Sequence, residues 1–353
     1  MRNIYSTIKT ALFVLAALAF SVAISRADSY SSTNLQSDIP GLAAHVDPNL
    51  VNPWGMAVPS ATGPIWVSDN GTGVSTLYNQ ADGTARSLIV TIPTSARNKD
   101  GGNPTGVVFN GTAFFQVTKN GNSQPARFIF VSEDGSISGW NPTVDATHAV
   151  IAVDNGTNLG SKRAIYKGAT LGVANGANFL YVTNFHTARV ETYDENFQQV
   201  NPNGFIDPNL PAGYAPFGIR NISGQIYVTY ALQDAKAEDD VAGPGNGFVN
   251  VFDTSGTFVK RLISNGKLNA PWGLALVVEG ELWVGNFGDG TINNYDPTTG
   301  VLIETISKAD LTPLQIDGLW DLLPLPFGTS TAVYFTAGIA DEAHGLFGRI
   351  TED

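Results

Sequence analysis

Six equivalent positions in this chain hold Asp69, Glu133, Asn184, Tyr230, Asn286 and Ala337, each two residues beyond the Val or Phe of a recurring strand phrase. Four of them carry a carboxylate or carboxamide oxygen, the hard donors that suit Ca²⁺ or Mg²⁺ when they converge on one point. Asp69, Glu133, Asn184 and Asn286 are therefore candidate metal ligands. The competing use of Asn and Asp at such places is to end strands and cap Asx turns. Histidine among carboxylates is the second signal. His344 lies in Asp341-Glu342-Ala343-His344-Gly345 and His186 follows Asn184-Phe185, so His344, Asp341 and His186 are candidate catalytic groups for proton transfer or metal binding. Trp54, Trp272 and Trp320 recur at one place in the repeat and, with Tyr230, are expected to meet a ring-bearing ligand at an aromatic rim; packing between blades is the alternative. The acidic, Gly-rich segment 231–247 is expected to loop over the same face, as a lid or as the carrier of Asp239 and Asp240 to a cation.

These residues ride on a repeated element. The phrase reads Ile65-Trp-Val-Ser-Asp-Asn70, Ile129-Phe-Val-Ser-Glu-Asp134 and Leu180-Tyr-Val-Thr-Asn-Phe185. It returns as Ile226-Tyr-Val-Thr-Tyr-Ala231, Leu282-Trp-Val-Gly-Asn-Phe287 and Val333-Tyr-Phe-Thr-Ala-Gly338, at intervals of 46 to 64 residues. A Pro-x-Gly signal opens the units at Pro53-Trp54-Gly55, Pro104-Thr105-Gly106, Pro216-Phe217-Gly218 and Pro271-Trp272-Gly273, with degenerate forms at 167–172 and 317–321. Branched and aromatic runs broken by Gly, Asn and Asp are strand and hairpin grammar. Short strands repeated at this period predict an all-β, six-bladed β-propeller of four-stranded antiparallel blades. The last unit has three evident strands, so Tyr30–Ser37 is expected to supply its fourth and close the ring. A seventh blade is not needed, because 113–125 reads as a long hairpin loop without a phrase of its own. In up-and-down blades the loop entering the first strand and the loop joining the second to the third share a face. The candidate residues are thus expected around one mouth of the channel.

Residues 1–27 carry Arg2 and Lys9, an apolar run from Ala11 to Ile24, and Ser25-Arg26-Ala27. That is the grammar of a secretory signal peptide cleaved near Ala27, and the run is short for a membrane span. The expected mature chain is a single domain over 28–353, secreted or periplasmic. Loss of Arg2, Lys9 and Arg26 moves the net charge from −12 to −15, which argues against nucleic acid and anionic membranes as partners. The absence of cysteine excludes thiolate metal sites and thiol nucleophiles. No Gly-x-Ser-x-Gly elbow, phosphate loop or His-Glu-x-x-His occurs.

Asp47-Pro-Asn-Leu-Val-Asn-Pro-Trp-Gly55, Trp66-Val-Ser-Asp-Asn-Gly-Thr-Gly73, Ala126-Arg-Phe-Ile-Phe130 and Phe335-Thr-Ala-Gly-Ile339 through His344-Gly-Leu-Phe-Gly348 resemble an uncharacterised family of exported bacterial propeller proteins. The unit is also similar to NHL-type repeats and, more distantly, to the calcium-dependent gluconolactonase and paraoxonase-like propellers. The resemblance implies a propeller fold and export, and it assigns no activity. The leading expectation is an extracellular or periplasmic platform that binds a small molecule, glycan or protein at the channel mouth. The alternative is a divalent-cation-dependent hydrolase or lactonase, or a lyase, with its site at the same mouth.

Overall fold

The computed structural model describes residues 28–98, 102–158, 160–277 and 280–353; the leader expected over 1–27 lies outside them. Six antiparallel sheets form the blades, and no α-helix occurs among the described residues. The innermost strands are Pro53–Ala57, Pro104–Phe109, Tyr166–Ala174, Tyr214–Ile222, Pro271–Leu276 and Leu319–Phe327, each touching the next and the sixth touching the first. The phrase strands come second in their blades. Ile65–Asp69, Phe128–Ser132 and Leu282–Asn286 are buried at every residue, because a blade covered on both faces by its neighbours needs apolar side chains on both.

The ring closes as the pattern predicts. Tyr30–Ser37 pairs antiparallel with Leu346–Glu352, from Tyr30 opposite Glu352 to Ser37 opposite Leu346, with a bulge at Leu35. His45–Val46 adds a short parallel strand beyond it. Leu35, Met56, Val67, Tyr78, Tyr334 and Phe347 then share one apolar cluster between the sixth and first blades. The segment 113–125 holds the hairpin Gln116–Lys119 with Asn122–Pro125, so the blade count stays at six.

The Pro-x-Gly repeat has a steric origin. A Cβ added to Gly55 would lie 2.7 Å from the Thr105 carbonyl oxygen, one on Gly218 2.1 Å from that of Trp272, and one on Gly273 2.6 Å from that of Trp320. Gly106 and Gly168 meet the following strand at 2.6 and 3.1 Å in the same way. At Gly55, Gly106, Gly218 and Gly273 the glycine lets the innermost strand touch the backbone of the next at separations that real Cβ atoms do not reach, and at Gly168 the approach is slightly wider. In the sixth blade Asp321 stands at this place instead, and its carboxylate accepts hydrogen bonds from the backbone NH of Met56 in the first blade (2.8 Å) and from Arg220 across the channel (2.5 Å).

Gly218→Ala is expected to destabilise the fold by about 3 kcal/mol, whereas Gly168→Ala, with its wider gap, is expected to cost about 1 kcal/mol. Urea unfolding of the two variants checks the order; equal losses would show that this backbone approach does not limit the ring.

Candidate functional site

The residue between Pro and Gly in each repeat reaches the axis. Trp54 and Trp320 stack with ring centroids 3.3 Å apart, and Phe287 stacks on the other side of Trp320 at 3.9 Å. Trp272 and Phe217 meet Trp54 edge-on at 6.1 and 6.3 Å, and Phe185 packs on Phe217 at 5.2 Å. Trp54, Trp272 and Trp320 are buried. The tryptophans expected at an aromatic rim instead plug the channel, because the strand approach described above directs their position in the repeat toward the axis.

In the third blade the repeat reads Tyr166-Lys167-Gly168, and a lysine takes the aromatic's place. The Lys167 side chain is 2% exposed. Its Nζ lies 5.1 Å from the Trp54 ring centroid and 5.9 Å from that of Phe185, within the range of cation–π attraction. It donates to Glu133 Oε1 (2.5 Å) and Asp239 Oδ1 (3.3 Å). Burial pulls the Lys167 pKa down, but Glu133 and Asp239 outweigh it and hold the value above the ordinary lysine range. The ammonium therefore stays charged. The Lys167 carbonyl accepts from Trp272 Nε1 at 3.0 Å, which fixes the backbone beneath.

A polar relay runs outward from this pair. Asn70 Nδ2 donates to Glu133 Oε2 (2.8 Å), Asn52 Nδ2 contacts Asn70 Oδ1 (3.4 Å), and Trp320 Nε1 donates to Asn52 Oδ1 (2.9 Å). Asn52 Nδ2 also donates to Glu342 Oε2 at 2.6 Å. Glu342 stands on an unusual support: Ala340, Asp341 and Glu342 have φ of 55°, 53° and 64°. Three successive non-glycine residues in the left-handed region cost of order 1 kcal/mol or more each. Burial, followed by the charge of Glu133, raises the Glu342 carboxyl from its ordinary 4.5 to about 7, against the opposing effects of Asn52 and Lys167. Asp240 is raised by burial to about 6, with Lys167 opposing. Two carboxyl groups that titrate near neutral pH thus flank one fixed cation.

The segment 231–247 is folded over this mouth. Asp234 Oδ1 accepts the backbone NH groups of Lys236, Glu238 and Asp239, and Gln233 Nε2 donates to the Phe185 carbonyl at 2.6 Å. Arg163 pairs with Glu238, and the His186 ring nitrogens face the Ala237 and Gly160 carbonyls at 3.1 and 3.2 Å. Beneath the lid lies a cavity of about 810 Å³, whose lining includes Arg97, Glu133, Arg163, His186, Glu238 and Asp239. The cation that Asp239 meets in the structure is the Lys167 ammonium.

The structure brings Glu133, His186 and Asp239 to one cavity and separates the other candidates. Asp69 is buried against the adjacent strand, where Oδ2 accepts Thr76 N (3.0 Å), and desolvation raises its pKa well above the carboxylate range. Asn184 Oδ1 accepts from Ile165 N and Thr187 N, and its Nδ2 donates to Glu191. Asn286 Oδ1 accepts from Asn269 N, and its Nδ2 donates to the Lys267 carbonyl and Thr291 Oγ1. Three of the four expected metal ligands thus serve the strand ends and turns of their own blades. Among the described residues no group of three His, Cys, Asp or Glu side chains could hold a metal ion. Tyr230 and Ala337 are buried between blades. His344 Nδ1 pairs with Asp38 Oδ2 at 2.6 Å, and Asp341 is exposed on the left-handed turn. Lys167, Glu342, Asn52 and Asn70 are the mouth residues that sequence reasoning missed. Aligning Tyr166-Lys167-Gly168 with Pro-x-Gly would have found the first.

No protein-family model matches the chain. Among solved structures, virginiamycin B lyase from Staphylococcus aureus is similar with a TM-score of 0.51 at 16% identity, over 92% of this chain and 99% of that one. A gluconolactonase from Xanthomonas campestris, XC5397, is similar with a TM-score of 0.52 at 13% identity, over 86% and 87% of the two chains. At these identities the likeness is one of fold, and it agrees with the gluconolactonase-like propeller read from the motifs. The relatives in sequence are viral, so the bacterial part of that resemblance gains no support from them. Uncharacterized protein L690 of Acanthamoeba polyphaga mimivirus is 31% identical over 326 residues, 88% of this chain and 83% of the viral protein. That identity, spread over most of both sequences, places the chain in the family of mimivirus protein L690.

Proposed function

We propose that the protein is an exported propeller that binds a polar ligand under the lid at the channel mouth. The observation that carries this reading is the cavity of about 810 Å³ between the second and third blades and the 231–247 lid, a size that suits a small molecule or a short chain segment. Its walls offer two guanidinium groups, carboxylates and amides, while the aromatic residues lie buried in the plug below. The ligand is therefore held by hydrogen bonds and charge rather than by ring stacking. Acidic oligosaccharides, sugar lactones and short peptides are the classes to screen.

A second reading is favoured by one specific group. Glu342, raised to about 7, is half-protonated near neutral pH and so fits a general acid or base. Lys167 would hold developing negative charge, so the proposed chemistry needs no metal step. The neighbours' names, a lyase and a gluconolactonase, put lyase and lactonase chemistry among the reactions to screen, although a shared propeller hosts binders and enzymes alike. Thermal-shift and turnover screens against the same ligand panel separate the two readings. Binding without turnover supports the platform; turnover that Glu342→Gln abolishes without loss of binding supports the enzyme. No shift with any ligand class would sink both.

Stability gives two independent checks. A carboxyl raised in the folded state stabilises the fold below its unfolded pKa of 4.5, and that contribution is lost as pH rises toward 7. Glu342→Gln is therefore expected to be more stable than the parent at pH 8 by about 2–3 kcal/mol and nearly equal to it at pH 4.5, measured by urea unfolding. Lys167→Met is expected to cost about 3 kcal/mol at pH 8 by leaving Glu133 and Glu342 without their cation. A neutral or stabilising result would mean that the ammonium does not organise the mouth.

A further inference from the structure

A second cavity, of about 1150 Å³, opens between the fifth and sixth blades; Asp28, Glu281, Glu352 and Asp353 line it together with Tyr30 and Trp283. No Lys, Arg or His stands among its described lining residues. Glu304 joins the same field: its carboxyl is raised by burial and by the charges of Asp28 and Glu281. Tyr30, packed edge-on against Trp283 at 5.2 Å, is raised by burial and by the charges of Glu304, Asp28, Glu352 and Glu281. An independent sign of a missing donor lies in Asn294, which is fully buried. Its Nδ2 donates to Glu281 Oε2 at 2.5 Å, while Oδ1 has no partner. Its strand position faces Glu304.

The chain enters this acidic cavity at a fixed point. The Ser29 carbonyl accepts Asp353 N, and Tyr30 N donates to the Ser307 carbonyl, both at 2.9 Å. The backbone nitrogen of Asp28 is one residue from the first of these anchors, about 4 Å along the chain. We infer that the cavity is the receptor for the α-ammonium group of Asp28, created when the leader is removed after Ala27. This inference rests on the export reading. A signal peptidase would hydrolyse the Ala27–Asp28 peptide bond with one water, leaving a carboxylate on Ala27 and an amine on Asp28, which takes up a proton at neutral pH. The new cation then meets Glu281, Glu304 and Glu352 with the free Asn294 oxygen as acceptor. Processing in this way tightens the strand that closes the ring, and the uncut leader leaves the acidic group without that partner.

The test uses residues 28–353 released from a fusion with a free Asp28 amine, compared at pH 7 with the same protein acetylated on that amine. Acetylation is expected to raise the unfolding equilibrium constant about five- to thirtyfold, read from urea titrations. The difference is expected to shrink in Glu281→Gln/Glu304→Gln, a variant in which the amine has lost two of the carboxylates that face it. Equal stability of the free and acetylated forms would overturn the inference, as would a difference that persists unchanged in the double variant. Intact mass of the full chain expressed with its leader tests processing separately. A retained leader, or a start other than Asp28, would defeat the export reading at this site even if the amine proved stabilising in the purified 28–353 protein.

Discussion

The contact between successive innermost strands sets the terms for everything else in this molecule. Backbone meets backbone around the axis at separations that exclude a Cβ at Gly218 and Gly273, so glycine is required there. The preceding residue of each repeat then reaches the channel. Large side chains at that place close it: Trp54, Phe217, Trp272 and Trp320 fill the axis through mutual stacking and edge contacts. A plugged channel cannot pass a ligand from face to face. The plug divides the channel into two mouths: the one with the lid, where the loops entering each blade meet the turns that leave its second strand, and an opposite one lined by the innermost strands with Arg220 and Asp321.

One substitution within that ring gives the mouth its polarity. With Lys167 where the other blades carry Trp, Phe or Thr, an ammonium lies against aromatic faces and under carboxylates. A buried charge of this kind is tolerated only when it is paired and hydrogen-bonded. Its partners come from separate blades: Glu133 from the second and Asp239 from the lid of the fourth, with Glu342 of the sixth held nearby through Asn52. Glu133, which sequence reasoning assigned to a metal, thus has an internal cation to answer to, and so has Asp239 of the lid. Lid, relay and left-handed turn converge on the same group.

The fold was legible because it is carried by repeated apolar strands and turn residues, whose spacing survives variation elsewhere. Ring closure by Tyr30–Ser37 was legible for the same reason: a three-stranded final unit needs a fourth strand. The site was only partly legible. The structure brings Glu133 and Asp239 to one cavity, whereas the amides of Asn184 and Asn286 bond the turns that follow their strands, a use equally open to an amide at a strand end. Lys167 escaped notice because it occupies a degenerate copy of the repeat, with Tyr166 in place of proline. Glu342 escaped because its importance comes from burial and from backbone geometry around Ala340 and Asp341, neither of which has a residue-type signature.

Glu342 also shows how the structure divides stability from function. Its turn holds three non-glycine residues at positive φ, and its carboxyl is kept from ionising freely by burial beside Glu133. Both features disfavour the folded state at neutral pH, and a glutamine on a relaxed turn would remove them. Such strain persists in a fold only when the surrounding contacts over-determine it, and it concentrates where a group must be held ready for a ligand. The blade interfaces, sealed by aromatic and branched residues on every side, supply the rigidity that keeps this turn in place without any disulfide. The rigidity of the blades and the strain of the turn thus meet at Glu342, whose carboxyl is held at the mouth against the cost of both burial and backbone conformation.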